Sequence, residues 1–216
     1  MLLAAVVGSG IMAERLAGGN VSLALLANAL ATGAALFALI LTFNTISGAH
    51  FNPAVSLTDA WNRGLGWRDA PIYIVAQILG AFAGVVAAHS MFGLPPFSVS
   101  HHARAGGAQM FSEFIATFGL IAVIRGCARL PTYVMALGVA AYITAAYWFT
   151  GSTSFANPAV TLARSLSDTF AGIRLADAPG FVLSQIAGAA AATMLFRWLI
   201  PSPKHTVSEE SQGNEK

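Results

Sequence analysis

The sequence predicts an all-α membrane protein in which six transmembrane helices and two re-entrant half-helices form two inverted repeats. Three observations carry this prediction. The chain of 216 residues is 56% hydrophobic and only 9% charged, whereas a soluble domain carries about 25% charged residues. Uncharged stretches long enough to span a bilayer recur along it, and one short motif occurs twice, about half a chain apart. A soluble fold of this size could not bury so much apolar surface.

The duplicated motif is Asn-Pro-Ala, and its copies are Asn52, Pro53, Ala54 and Asn157, Pro158, Ala159. Asparagine is a strong N-cap and proline favours the first helical turn, so each copy predicts the start of a short helix, over 53–62 and 158–168. A helix of about ten residues is about 15 Å long, half the thickness of the hydrocarbon core. Two such helices entering from opposite faces would meet near the midplane.

The other apolar stretches predict full spans at 21–43, 70–92, 109–125, 131–149 and 179–200. Residues 1–13 are apolar but short of a span, so we expect a first helix that is N-terminally shortened. The first repeat would cover 1–92 and the second 108–200, with a connecting loop at 93–107. The polar segment 201–216 predicts a disordered cytoplasmic tail.

Two further patterns support the repeat. Gln-Ile-x-Gly-Ala occurs at 77–81 and again at 185–189, and Gly80, Gly84 and Gly188 would let helices pack closely. Three spans per half put the halves in opposite orientations. Basic residues favour cytoplasmic N- and C-termini. The predicted cytoplasmic side carries Arg63, Arg68, Arg125, Arg129, Arg197, Lys204 and Lys216, and the other side carries Arg15, Arg104, Arg164 and Arg174.

Two Asn-Pro-Ala copies at matching points of two three-span halves resemble the aquaporin, or major intrinsic protein, family. The similarity covers nearly the whole chain, including Ser-Gly-Ala-His-Phe-Asn-Pro-Ala-Val at 47–55 and the two Gln-Ile-x-Gly-Ala helices. The resemblance implies the aquaporin fold, a homotetramer, and a separate pore in each subunit.

The pore chemistry follows from the half-helices. Each N-terminus carries about half a positive charge, which repels cations and protons but not neutral molecules, the effect known from aquaporin-type selectivity. The side-chain amides of Asn52 and Asn157 would be free to donate to a passing oxygen. Main-chain carbonyls before each motif would accept hydrogen bonds, at Gly48, Ala49, His50, Thr153 and Phe155.

The resemblance also implies a narrow filter near the outer mouth, which falls by spacing on Thr32, Ala145, Ser154 and Val160. Most family members have arginine where this chain has Val160, and a bulky aromatic residue where it has Thr32. Losing the arginine removes a fixed charge and several donors. We therefore predict a wide, uncharged filter that passes water and small uncharged solutes such as glycerol, urea and arsenite, which is As(OH)3 at neutral pH. Bacterial relatives are metalloid conduits.

Three residues have open interpretations. Glu113, the acid deep in a span, could couple protons, but the resemblance favours a structural carboxylate that holds a re-entrant segment, with a first-half counterpart before Met1. The His50 ring could line the pore or pack beside it, leaving its backbone in the pore. Arg164 lies one helical turn beyond Val160, and we expect it to face a neighbouring helix or lipid headgroups.

Alternative functions are a strict water channel, an ion-coupled secondary transporter, and an intramembrane serine hydrolase. A transporter needs coordinating acids at the midplane, where only Glu113 is available, and no Gly-x-Ser-x-Gly motif occurs. We predict no enzymatic activity and no cofactor or metal, since Cys127 is the single cysteine and His101 and His102 lie in a loop. The net charge of +2 gives no indication of nucleic-acid binding. A bacterial inner membrane is the expected location.

Overall fold

The computed structural model describes residues 1–200, in which the regular elements are helices and no strand occurs. The all-α prediction is confirmed, whereas the predicted tail at 201–216 lies outside the described residues. The helices are α1 (Leu2–Leu16), α2 (Val21–Ser47), α3 (Pro53–Trp61), α4 (Ala70–Met91), α5 (Gly107–Cys127), α6 (Thr132–Phe149), α7 (Pro158–Arg164) and α8 (Ala178–Leu199).

Five helical segments of the described chain are long and apolar enough to cross a membrane: α2, α4, α5, α6 and Leu175–Leu199, which contains α8. The helix α1 has 15 residues, which makes it about 22 Å long and shorter than these five. The two short helices α3 and α7 begin at the prolines of the duplicated motif.

The helix α7 ends at Arg164, earlier than the predicted 168, because the chain after it turns to pair with the central loop. The amides of Ser98 and Ser100 donate to the carbonyls of Leu166 and Ser165. These bonds use carbonyls at the end of the helix and hold the chain away from a further helical turn. The central loop therefore covers the same side of the protein as the C-terminal end of α7.

The helix packing repeats between the halves. The helix α1 contacts α2 and α4, as α5 contacts α6 and α8. Each half-helix packs against the last span of its own half and also against the last span of the other half, so α3 and α7 both contact α4 and α8. The helices α2 and α6 pair across the halves. The two half-helices are thus enclosed by spans of both halves.

Close helix packing occurs at two of the three predicted glycines. A Cβ on Gly84 would lie 2.8 Å from the Leu3 Cβ, and one on Gly188 would meet the Phe114 carbonyl. The prediction for Gly80 is wrong within the described chain, because no atom of residues 1–200 outside its own helix lies within 4 Å of a Cβ built there. The two helices that carry the shared Gln-Ile-x-Gly-Ala pattern therefore have different surroundings at the equivalent glycine.

Candidate functional site

The two re-entrant segments before the half-helices share one backbone conformation. In the first, φ is 72°, 49° and 50° at Gly48, Ala49 and Phe51. In the second, φ is 61°, 50° and 50° at Thr153, Ser154 and Ala156, each 105 residues further along the chain. The left-handed region costs a residue other than glycine about 1 kcal/mol or more, so tertiary contacts must hold both segments.

The two asparagines of the motifs tie the segments together. Each Oδ1 accepts from the amide N–H two residues later, at 2.9 and 3.0 Å, and so caps its own helix. The Asn52 Nδ2 donates to the Ala156 carbonyl at 2.7 Å, and the Asn157 Nδ2 donates to the Phe51 carbonyl at 2.8 Å. The expectation that these amides are free to donate to a passing oxygen is corrected in part: one N–H of each is used across the junction, which leaves the second N–H for a solute.

Glu113 holds the second segment from α5. Its Oε1 accepts from the Phe155 amide at 2.9 Å, and its Oε2 accepts from the Ala156 amide at 2.8 Å. Gln185, a residue whose role sequence reasoning missed, donates to Oε2 at 2.6 Å and to the Thr161 hydroxyl at 2.8 Å. The carboxylate is fully buried, and these donors compensate its desolvation. These contacts support the interpretation of Glu113 as a structural carboxylate that holds the segment.

A cavity of about 290 Å³ passes the junction of the half-helices. At one end it is bordered by the ends of α3 and α5, including Asp59, Asn62 and Arg125. Its middle is bordered by both motif asparagines and by the re-entrant segments through Gly48, Ala49, His50, Phe51, Ser154, Phe155 and Ala156. The backbone of Thr153 was also predicted to border the pore, but Thr153 is not among the residues that border this cavity; its hydroxyl lies 3.3 Å from the Arg104 Nη1.

Three of the four predicted filter residues, Thr32, Ser154 and Val160, border this cavity. The assignment of Ala145 is wrong: it is exposed on the outer face of α6, while Ile143 and Tyr147 border the cavity. Residues two positions apart in an α-helix point about 200° away from each other, so Ala145 faces away from both Ile143 and Tyr147. Counting back from Asn157 failed because the non-helical segment 150–157 sets where α6 ends.

Tyr147 changes the character of the filter region. It is 3% exposed, and its hydroxyl lies 3.2 Å from the Thr32 Oγ1. The Ser154 Oγ is also buried, and it has no hydrogen-bond partner among the described residues. The region is therefore not made of small side chains alone. It includes one aromatic ring and several hydroxyl groups.

The expectation that Arg164 faces a neighbouring helix or lipid headgroups is also wrong. Its side chain is 2% exposed and borders the cavity. The Nε donates to the Ala171 carbonyl, and the guanidinium carbon lies 3.4 Å from the centre of the Phe155 ring. The i, i+4 spacing from Val160 is the sequence signal that places the two side chains on one helix face.

The His50 ring packs at the other end of the cavity. Its Nδ1 lies 3.1 Å from the Ser56 Oγ, and its Nε2 lies 3.5 Å from an Asp59 carboxylate oxygen. The ring centre is 5.6 Å from that of Tyr73. The ring is thus held by side chains of α3 and α4 while the residue also borders the cavity.

On the side of the central loop, Asp168 accepts hydrogen bonds from the backbone and side chain of His101, at 3.0 and 3.3 Å. These bonds lower the pKa of the Asp168 carboxyl, the backbone bond most. No group of three or more potential metal ligands occurs within residues 1–200. The contact between His101 and Asp168 joins the central loop to the segment after α7.

Comparison with known proteins gives consistent matches. The model of the major intrinsic protein family matches residues 1–134. The aquaglyceroporin AqpS of Rhizobium meliloti is 51% identical over 211 residues, covering 98% of this chain and 90% of the relative. The aquaporin AqpM of Methanothermobacter thermautotrophicus is 35% identical over 192 residues, covering 79% and 75%.

Among solved structures, the aquaglyceroporin of Plasmodium falciparum superposes with a TM-score of 0.70 at 24% identity, covering 93% of this chain and 92% of that one. This likeness shows the aquaporin fold. The fold, the reciprocal bonds between the two motifs and the matches in sequence agree. The chain belongs to the major intrinsic protein family.

Proposed function

We propose that this chain is a passive transmembrane channel for small neutral solutes: water, polyols and amides of the size of glycerol and urea, and metalloid hydroxides such as arsenite. It is an integral membrane protein of a family of channels that pass water and small solutes. One observation carries the solute range: the three predicted filter residues that border the cavity, Thr32, Ser154 and Val160, are uncharged.

The enclosed junction of the half-helices supports passage of neutral solutes. Buried donors and acceptors, including the second amide N–H of each motif asparagine, can replace part of the hydration of a hydroxyl-bearing solute. An ion would also have to leave water for a cavity of mixed polarity, at a much higher cost in free energy. The proposal includes a homotetramer in a bacterial inner membrane with both termini in the cytoplasm. It includes no enzymatic activity.

Stopped-flow light scattering on proteoliposomes tests the proposal. Water, glycerol, urea and arsenite should each enter faster than into empty liposomes, with rates linear in the gradient and without a proton leak. A strict water channel would pass water alone. Saturable flux that depends on an ion gradient would indicate a secondary transporter. Either of these results contradicts the proposed solute range or mechanism.

The substitution Val160→Arg tests the filter assignment. A guanidinium at this position adds charge and bulk, and we expect glycerol and arsenite flux to fall by about tenfold or more while water flux falls less. Val160→Met is the matched control, since it adds length without charge or donors. Unchanged polyol and metalloid flux in Val160→Arg would show that Val160 is not part of the filter.

A further inference from the structure

Arg164 and Tyr147 border the cavity one helical turn outward from Val160 and Ile143. Val160 and Arg164 are four residues apart on α7, and Ile143 and Tyr147 are four apart on α6, so each pair lies on one face about 6 Å apart. From Val160 to Arg164 on α7, and from Ile143 to Tyr147 on α6, the chain runs toward the side of the protein that the central loop covers. All four side chains border the same cavity.

We propose that Arg164 and Tyr147, with the hydroxyls of Thr32 and Ser154, form an outer selectivity ring that supplies the charge and donors missing at Val160. The ring discriminates against cations and favours neutral solutes with several hydroxyl groups. This inference rests on the proposed function, because it concerns the route of the same solutes.

Arg164 is held in one position. Its Nε donates to the Ala171 carbonyl, and its guanidinium lies over the Phe155 ring at 3.4 Å. Within residues 1–200, no protein atom accepts a hydrogen bond from its terminal nitrogens, and the side chain borders the cavity. A guanidinium fixed by its Nε can therefore offer its remaining N–H groups to a solute.

A second guanidinium, that of Arg104, supports the same wall without bordering the cavity. Arg104 donates from Nε to the Gly172 carbonyl at 2.9 Å and from Nη1 to the Ser152 carbonyl at 3.1 Å. Its guanidinium carbon is 5.1 Å from the centre of the Phe155 ring, and Arg104 does not border the cavity. Arg104 thus positions the segment, whereas Arg164 faces the solute path.

The hydroxyls complete a site with donors and acceptors. The Tyr147 hydroxyl and the Thr32 Oγ1 are 3.2 Å apart, and this bond uses one proton of the two groups, so the pair retains a donor. The buried Ser154 Oγ has no partner among the described residues, although such groups are almost always satisfied by protein or water. A passing solute that both donates and accepts would satisfy it.

The chemistry separates two effects that one experiment can measure. A fixed positive charge in a low-dielectric wall opposes entry of a cation. Directional donors and acceptors favour a polyol over a solute that fills the same space without hydroxyls. Loss of the charge should therefore raise cation leak, and loss of a single hydroxyl should change the ratio of polyol to water flux.

The test uses the full chain in proteoliposomes and measures water, glycerol and sodium permeability. Arg164→Gln should raise sodium leak by about tenfold. Arg164→Lys should keep sodium leak near the wild-type value while glycerol flux falls, since it retains the charge without the planar donors. Arg174→Gln is the control: it removes an arginine on the same side that does not border the cavity, and it should change neither quantity.

Tyr147→Phe removes one hydroxyl and should change the glycerol-to-water ratio by about fivefold without raising sodium leak. If Arg164→Gln does not fold, this variant decides the outcome, and an unchanged ratio overturns the ring. A folded Arg164→Gln with wild-type sodium leak also overturns it. A purely structural role for Arg164 would lower the yield or stability of the variants and leave these ratios unchanged. If the wild-type protein conducts no solute, the proposed function itself fails, which is a different result.

Discussion

The first and second re-entrant segments have the same backbone conformation and different supports. The second is held by the Glu113 carboxylate, which accepts from two successive main-chain amides. No carboxylate does this for the first segment within the described residues. There the His50 ring and Gln77 both bond the Ser56 hydroxyl, and the Gln77 Oε1 is buried without a partner among the same residues.

The difference shows which parts of the repeat the pore junction requires. The φ values and the reciprocal asparagine bonds are the same in both halves, because the two half-helices can meet only if both segments take this shape. The side chains that support the two segments differ between the halves. We expect substitutions at the junction to act equally in the two halves, and substitutions at the supports to act unequally.

The largest expected effect is at Glu113. Glu113→Ala leaves two buried amides without acceptors and should lower the free energy of unfolding by about 3 kcal/mol or more. Gln77→Ala removes a side-chain support of the first half and should cost about 1 kcal/mol, because it removes one hydrogen bond to Ser56. The measurement is denaturant unfolding of the purified protein in detergent. Equal losses would contradict the proposed difference between the supports.

The next largest difference in unfolding free energy is expected between substitutions at Gly188 and Gly80, the equivalent glycines of the shared helix pattern. A methyl group at Gly188 meets the Phe114 carbonyl, so Gly188→Ala should cost about 2 kcal/mol through displacement of α5 from α8. In Gly80→Ala, the new methyl group has no neighbour within 4 Å outside its own helix among the described residues, and the change should be neutral or slightly stabilising, since alanine favours a helix. The same unfolding assay compares them, and a costly Gly80→Ala would indicate an unseen neighbour at that turn.

The motif asparagines should behave alike. Asn52→Ala and Asn157→Ala each remove a helix cap and one bond across the junction, and each should cost about 2 kcal/mol. Their difference should stay within about 0.5 kcal/mol. A much smaller loss of unfolding free energy in Asn52→Ala than in Asn157→Ala would contradict the expected equivalence of the two asparagines. Ser90→Ala, an exposed change in α4, controls for general effects of substitution.

The smallest expected effect concerns backbone conformation. Gly48 and Thr153 occupy equivalent positions with φ of 72° and 61°. Gly48→Ala should cost about 1 kcal/mol, because an alanine must enter the left-handed region. Gly107→Ala is the control at a glycine where no positive φ or close contact occurs. Thermal unfolding in detergent should separate the two variants, and equal midpoints would count against strain at Gly48.

Composition and the duplicated motif were sufficient to predict the helical class and the starts of both half-helices. Asparagine followed by proline specifies a helix start through local chemistry, so Asn52 and Asn157 could be placed without a structure. The resemblance to the family also implied that Glu113 is a structural carboxylate that holds a re-entrant segment.

The filter region was predicted less well. Ala145 was assigned by counting along the chain, but the side of α6 that borders the cavity depends on where the non-helical segment 150–157 begins. Arg164, one helical turn beyond Val160, was expected to face a neighbouring helix or lipid headgroups. Its partners, Ala171 and Phe155, are brought to it only by the turn after α7 and by the re-entrant segment.

The sequence by itself determined the membrane class, the twofold repeat and the two helix starts, since each follows from composition or from neighbouring residues. The tertiary structure decided which side chains border the cavity beyond the motifs, above all Tyr147 and Arg164. It also decided how the two segments hold each other, through the bonds from Asn52 to Ala156 and from Asn157 to Phe51. The physical reason is that these contacts join residues about a hundred positions apart, and no local pattern specifies their register.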